Sequence, residues 1–221
     1  MYIAIEGVIG VGKTTLARLL QPVFQAGLLL EVFEENPFLS DFYADRERYA
    51  FQTQIFFLLS RYHQQRNAVP EILKRDVSLL ADYTFEKDAL FARINLKGDE
   101  LEMYYRVHEA LAEKIPLPDL IVYLRADTDV LMQRISQRDR PYERYIEREY
   151  IHQLNCAYED FFVNLRSSDE HQRSPVLAFD TNQIDYVRRP EDLKAVEQRI
   201  RQALRLSPFQ EELPIKMSSS S

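Results

Sequence analysis

The 221-residue sequence predicts a three-layer α/β fold, a five-stranded parallel sheet with helices on both faces. Three observations carry this expectation. Short apolar runs alternate with helical text along the chain. The runs are continuously apolar, as strands covered on both faces read. The residues at their carboxyl ends are glycine or acidic, where parallel strands open into a crevice.

The first run, Tyr2 to Glu6, leads into Gly7, Val8, Ile9, Gly10, Val11, Gly12, Lys13 and Thr14, which spell G-x-x-x-x-G-K-T, the phosphate-binding P-loop. Its glycines allow sharp turns that bring backbone N–H groups against an anion. Lys13 is placed to reach the β- and γ-phosphates, and the Thr14 hydroxyl to ligate Mg²⁺. Thr14 and Thr15 open a helix whose N-terminal dipole faces the same phosphates. Strand, loop and helix together point to a nucleoside triphosphate, with Gly7 to Thr15 as its cradle.

Ala26-Gly27 reads as a helix stop, and Leu28 to Phe33 as a second strand. Glu31 inside that run is either at the strand's carboxyl end, facing the crevice, or badly placed. Leu39 to Asn67 reads as helical, with Phe42, Tyr43, Phe51, Ile55, Leu58, Leu59 and Tyr62 at three- and four-residue steps. Val77 to Asp82 forms a third strand ending in a carboxylate. Helical text follows from Phe85 to about Arg93, and from an Asp99 cap to Glu113. Leu120 to Leu124 is a fourth strand, followed by a helix from Asp127 or Thr128 to Arg138. Val176 to Phe179 is a fifth strand, and Pro190 to Leu206 a closing amphipathic helix. One domain is expected over residues 1–206, with a tail over 207–221 disordered at its serine-rich end.

A net charge of −7 argues against a nucleic-acid polymer as partner, which calls for a basic face. A single cysteine, Cys156, read as a small helical residue, excludes an internal disulfide and fits a reducing cytoplasm. The N-terminus runs straight into a strand, so no signal peptide is expected. No apolar run has the length of a membrane span.

Three features point from a P-loop to a kinase. Arg134, Arg138 and Arg140 cluster after the fourth strand, Arg134 and Arg138 one helical turn apart and Arg140 where Pro141 bends the chain. Such a lid, about residues 138–145, can close over triphosphate and exclude water, which strengthens each charge contact several-fold. A base-reading motif of the N-K-x-D type is absent. Glu31 offers a base for an acceptor hydroxyl.

With these motifs the chain resembles the deoxyribonucleoside kinases, most closely the bacterial deoxyguanosine and deoxyadenosine kinases. The resemblance runs from Tyr2 to about Phe179, and its interior motifs are more specific than the P-loop. Glu31 to Phe38 matches the family segment that precedes E-[ED]-N-P-[YF], with Val32 at the usual proline. This implies that Glu31 takes the proton of the 5′-hydroxyl, with Glu34 or Glu35 as a rival assignment. The segment from Phe42 to Arg61 matches the one that holds the deoxynucleoside. Tyr43 is then expected on the 3′-hydroxyl, Gln54 on the base edge, and Arg61 with Asp88 completing base recognition. The spacing agrees in part, since Gln54 and Arg61 lie two turns apart on one helix face. Phe38, Phe56, Phe57 and Phe91 are candidates for stacking, with a core role as the default for each. The lid R-x-x-x-R-x-R followed by E corresponds to Arg134, Arg138, Arg140 and Glu143, the last capping the 3′-hydroxyl; Tyr150 also fits its family position.

One departure stands out. The family's [ED]-R-[ST] reads Asp82-Tyr83-Thr84 here. Asp82 keeps a carboxylate for Mg²⁺ alongside Thr14, but Tyr83 supplies no cation, so either the lid arginines compensate or turnover is slow. The resemblance implies ATP-dependent phosphorylation of a purine deoxynucleoside in nucleotide salvage, deoxyguanosine first and deoxyadenosine second, with Mg²⁺, by a cytoplasmic homo- or heterodimer. Lys13, Glu31, Arg138 and Arg140 would carry the chemistry. The alternatives are a thymidylate or other nucleoside-monophosphate kinase and a weakly active subunit of a heterodimeric kinase.

Overall fold

The computed structural model describes residues 1–164 and 174–207; the expected disorder of the tail concerns residues outside this set. Five strands form one parallel sheet: β1 (Tyr2–Glu6), β2 (Gly27–Leu29), β3 (Leu79–Ala81), β4 (Leu120–Arg125) and β5 (Val176–Asp180), in the order β2-β3-β1-β4-β5. The central strand β1 pairs with β3, Ile3 opposite Leu80, and with β4, Ile5 opposite Val122. Every residue of β1 is buried, which is why the run shows no alternation.

Helix α1 (Lys13–Phe24) lays Leu16, Ala17, Leu20 and Phe24 on the sheet, the three- and four-residue steps of one helix face. It ends at Gln25 in a left-handed conformation (φ 47°), not at Gly27, which already belongs to β2. The expected helix from Leu39 is two helices, α2 (Leu39–Ala44) and α3 (Arg46–Lys74). Asp45 separates them, outside the helical region at φ −147° and ψ 83°, and its side chain accepts the Arg48 N–H as the cap of α3. Helices α4 (Lys87–Asn95) and α5 (Gly98–Ala112) follow, Asp99 lying in the first turn of α5 and not capping it. Then come α6 (Thr128–Arg138), α7 (Arg148–Glu159) and α8 (Pro190–Ala203). Helix α7 carries Cys156, expected on a helix, on its exposed side and buries Tyr150, Ile151, Leu154, Ala157 and Tyr158; its extent has no counterpart in the sequence reading. No helix among the described residues is long and apolar enough to cross a membrane.

The second strand is shorter than expected, and the reason concerns the site. Its partner β3 is itself only Leu79–Ala81, so the ladder stops at Leu29. Beyond it, side chains replace the ladder. The Leu30 carbonyl accepts Gln64 Nε2 at 2.9 Å, and the Glu31 N–H donates to Asp82 Oδ1 at 2.8 Å. Glu31 therefore stands two residues past the strand, held by Asp82, and the chain turns into a 3₁₀ turn at Phe33–Glu35.

Tyr83 corrects another expectation. Its side chain is fully buried in a cluster with Tyr2, Ala4, Leu29, Val69, Leu79 and Ala81, and its hydroxyl donates to Gln64 Oε1 at 2.5 Å. It is a core residue turned toward α3, not a failed cation of the crevice. Tyr83→Phe is expected to cost about 1 kcal/mol in urea denaturation, the worth of one buried hydrogen bond, and to leave kcat unchanged. A tenfold fall in kcat would contradict this placement.

Candidate active site

The carboxyl ends of β1, β2 and β3 meet the helical segments α2–α4 and the turn after α6 around a narrow cleft of about 110 Å³.

On one side stands the glycine cradle. Gly7 and Gly12 adopt φ of 146° and 105°, a region that disfavours side chains, and a Cβ on Gly12 would collide with the Tyr186 hydroxyl. Lys13 folds back over the loop, its ammonium donating to the Gly7 carbonyl at 2.6 Å and the Val8 carbonyl at 3.2 Å. Burial, and then the neighbouring Lys87 cation, push its pKa down to about 8. The Thr14 hydroxyl donates to Asp82 Oδ2, so Asp82 joins the first helix to the Glu31 backbone. Thr14 and Asp82 are hard oxygen donors side by side at the cleft. They fit Mg²⁺, which takes one or two protein oxygens and completes its shell from phosphates and water. No cluster of three or more His, Cys, Asp or Glu suited to a metal exists among the described residues.

Beneath the cradle, the buried Glu6 carboxylate accepts the Gly7 N–H at 3.0 Å, the Thr84 N–H at 2.5 Å and the Tyr158 hydroxyl at 3.3 Å. It ties the loops after β1 and β3 together. Sequence reasoning did not single it out, because a terminal strand glutamate has no signature beyond its place before Gly7.

On the other side lies a set of ion pairs. The Arg61 guanidinium bridges Glu31 and Asp88. Lys87 Nζ lies 2.5 Å from the second Glu31 oxygen. Burial alone would raise the Glu31 carboxyl, but Arg61 and Lys87 outweigh it and hold the group well below the usual carboxylate range. Arg61 also lies over the Phe57 ring, 4.5 Å from its centroid. At the mouth, Arg138 forks onto Glu143 through Nε, at 2.7 Å, and Nη2. Arg140 sits 3.8 Å from Glu143 and 4.3 Å above the Phe33 ring. Residues 138–145 are thus the end of α6 and a short 3₁₀ turn, Pro141–Glu143, folded against the cleft.

The sequence-predicted residues Lys13, Thr14, Glu31, Tyr43, Gln54, Arg61, Asp82, Arg138, Arg140 and Glu143 all line this cleft, with Ile9 and Gly10. Asp88 lies behind Arg61 and is 1% exposed. Val11, Gly12, Thr15 and Arg134 line a second cleft with Gly10, shared through Arg138 and walled by residues 182–189. Arg134 is tied down there, donating to the Thr181 carbonyl at 2.7 Å and to its hydroxyl at 2.9 Å. Of the aromatic candidates, Phe57 and Phe91 reach the first cleft, while Phe38 and Phe56 do not line it. Glu35, one rival base, is exposed. Lys87, Tyr142 and Tyr158 are cleft residues that the sequence reading does not single out.

A parallel sheet of order 2-3-1-4-5 with a glycine cradle after its central strand defines a P-loop NTPase fold. The profile of the family described as deoxynucleoside kinase matches residues 3–205. The chain is 34% identical over 203 residues to the deoxyguanosine kinase of Bacillus subtilis (strain 168), covering 92% of this chain and 97% of that one. It is 31% identical over 167 residues to the deoxyadenosine/deoxycytidine kinase of the same organism, covering 72% and 75%. The solved structure of the deoxyadenosine kinase from M. mycoides, with the product dCMP and a flexible dCDP bound, superposes with a TM-score of 0.76. That alignment has 25% identity and covers 91% of this chain and 99% of the other. The chain belongs to the deoxynucleoside kinase family, and it is a phosphotransferase.

Proposed function

We propose that the chain transfers the γ-phosphoryl group of ATP to the 5′-hydroxyl of a purine deoxyribonucleoside, deoxyguanosine in preference to deoxyadenosine, in cytoplasmic nucleotide salvage. The observation that carries this reading is Glu31. It is an ionised carboxylate standing between the cradle, through Asp82, and the Arg61–Asp88 pair at the far side of the cleft. A base in that place serves an acceptor hydroxyl whose remaining bulk lies toward Gln54, Arg61 and the Phe57 and Phe91 rings.

In the reaction, Glu31 accepts the 5′-hydroxyl proton as the oxygen attacks the γ-phosphorus, and the bond to the β–γ bridging oxygen breaks, releasing ADP. Lys13 and the backbone N–H groups of the cradle hold the phosphates, and Arg138 and Arg140 offset charge on the migrating group. Thr14 and Asp82 would hold Mg²⁺, which would supply positive charge against the triphosphate. Tyr43 and Glu143 take the 3′-hydroxyl, while Gln54 and Arg61 with Asp88 take the base edge. Arg61 spans Glu31 and Asp88, so a nucleoside that takes Arg61 on its base edge separates Arg61 from Glu31 and makes Glu31 a stronger base. A monophosphate acceptor fits poorly, because its phosphate would face the Glu31 carboxylate.

A homo- or heterodimer belongs to this reading and is tested by light scattering. The preference for guanine leans on the 34% identity to a deoxyguanosine kinase along nearly the whole of both chains. The relative described as a deoxyadenosine/deoxycytidine kinase makes deoxyadenosine with deoxycytidine the second reading. A phosphorylation screen of the four deoxynucleosides with ATP and Mg²⁺ tests it. Deoxyguanosine should give the highest kcat/KM, and a profile led by deoxycytidine would transfer the proposal to the second reading.

The lowered pKa of Lys13 makes a separate prediction. Its ammonium is the form that holds triphosphate; it is present below about 8 and lost above it. The kcat/KM for ATP, which reports the free enzyme, should therefore fall as pH rises through about 8. The kcat should hold to higher pH, since bound phosphates raise the lysine again. A pH profile of both constants checks it.

A further inference from the structure

Lys87 occupies a position that works against stability in three ways. It is 4% exposed, in the first turn of α4, where the helix dipole disfavours a cation. It also lies close enough to Lys13 to depress that second ammonium. The Glu31 carboxylate at 2.5 Å offsets this, yet Glu31 is already paired with Arg61. Two ammonium groups therefore face one cleft, the half-buried Lys13 from the cradle and Lys87 from beside the base, with the Glu6, Glu31 and Asp82 carboxylates around them.

We propose that Lys87 is a catalytic residue of this site, a cation that leaves Glu31 and binds an equatorial oxygen of the γ-phosphoryl group as it passes to the acceptor. The proposal rests on the reading of Glu31 as the base. An acceptor oxygen lies about 3 Å from its base. A group 2.5 Å from the other oxygen of that carboxylate is then within reach of the phosphoryl group being attacked. As Glu31 gains the proton it loses its hold on Lys87, while negative charge grows on the phosphoryl oxygens. The ammonium moves with the charge. Position 83 cannot supply this cation, because Tyr83 is turned into the core. Lys87, four residues further on at the start of α4, reaches back into the crevice over the Tyr83 and Phe91 rings, 5.9 and 5.8 Å from their centroids.

The test measures single-turnover and steady-state phosphorylation of deoxyguanosine by the full chain. Lys87→Met should lower kcat by about 10²–10³-fold, the usual loss for one transition-state charge donor, with KM for deoxyguanosine within about threefold of wild type. Lys87→Arg should recover at least about tenfold of the loss. The decisive variant is Lys87→Met in a Glu31→Gln background. It removes both members of the ion pair and keeps the fold free of an unpartnered charge. A further loss of about tenfold or more there shows that Lys87 acts on the phosphoryl group. No further loss shows that it acts only through Glu31 and overturns the proposal, as does a Lys87→Met enzyme with kcat within about threefold of wild type. A wild-type chain that phosphorylates no deoxynucleoside would instead overturn the reading of the acceptor, and the inference with it.

Discussion

Glu31→Gln is expected to lower kcat by about 10²–10⁴-fold while leaving KM for the deoxynucleoside within a few-fold, because a positioned base contributes to the transition state and little to ground-state binding. The amide keeps the shape of the side chain and still accepts one hydrogen bond, but it takes no proton. It also leaves Lys87 without its carboxylate, so a modest loss of stability should accompany the loss of rate. The pH dependence has a definite sign. The Glu31 pKa is lowered in the folded chain, so its ion pairs stabilise the fold above the usual carboxylate range, and that contribution is lost as pH falls through the lowered value. The acid limb of the wild-type kcat/KM profile should accordingly lie below the usual carboxylate range. Near-wild-type turnover by Glu31→Gln would move the base to Glu34 or Glu35.

Arg61→Met has the second largest effect expected, and it appears in stability as well as rate. Arg61 is the shared cation of two carboxylates, and Asp88 behind it is almost fully buried. Removing one partner of a buried pair leaves an uncompensated charge, at a cost of about 3 kcal/mol or more. Chemical denaturation at neutral pH should show that loss. Discrimination among bases should narrow in the same variant. A loss of stability with unchanged base preference would make Arg61 a structural residue alone.

How much of this was legible beforehand depended on how local the signal was. The cradle from Gly7 to Thr15 was readable because its spacing is a local backbone requirement. The five parallel strands and the crevice at their carboxyl ends followed from continuous apolar runs; their order in the sheet did not. Gln54 and Arg61 shared a face because seven residues make two helical turns. The misreadings came where direction is set by tertiary contacts. That Tyr83 supplies no cation is plain from its residue type, but its direction is not: the residue after a buried strand can turn either way, and packing against Val69 and Gln64 turns it inward. Lys87 was overlooked for the converse reason: a lysine opening a helix reads as a solvated charge, and only the turn after β3 brings it onto Glu31. The second strand was drawn too long because apolar residues continue to Phe33, while the ladder ends where β3 ends. The break at Asp45 passed unnoticed because apolar periodicity resumes after it almost in phase.

The central claim is that one cleft joins a triphosphate cradle to a nucleoside acceptor with Glu31 at the junction. Its most direct test is phosphoryl transfer from γ-labelled ATP, with Mg²⁺, to deoxyguanosine and separately to deoxyguanosine monophosphate, with the product located by ³¹P NMR. The account predicts label on the 5′-oxygen of deoxyguanosine and none transferred to the monophosphate. Label on the monophosphate, or on the 3′-oxygen of the nucleoside, would contradict it.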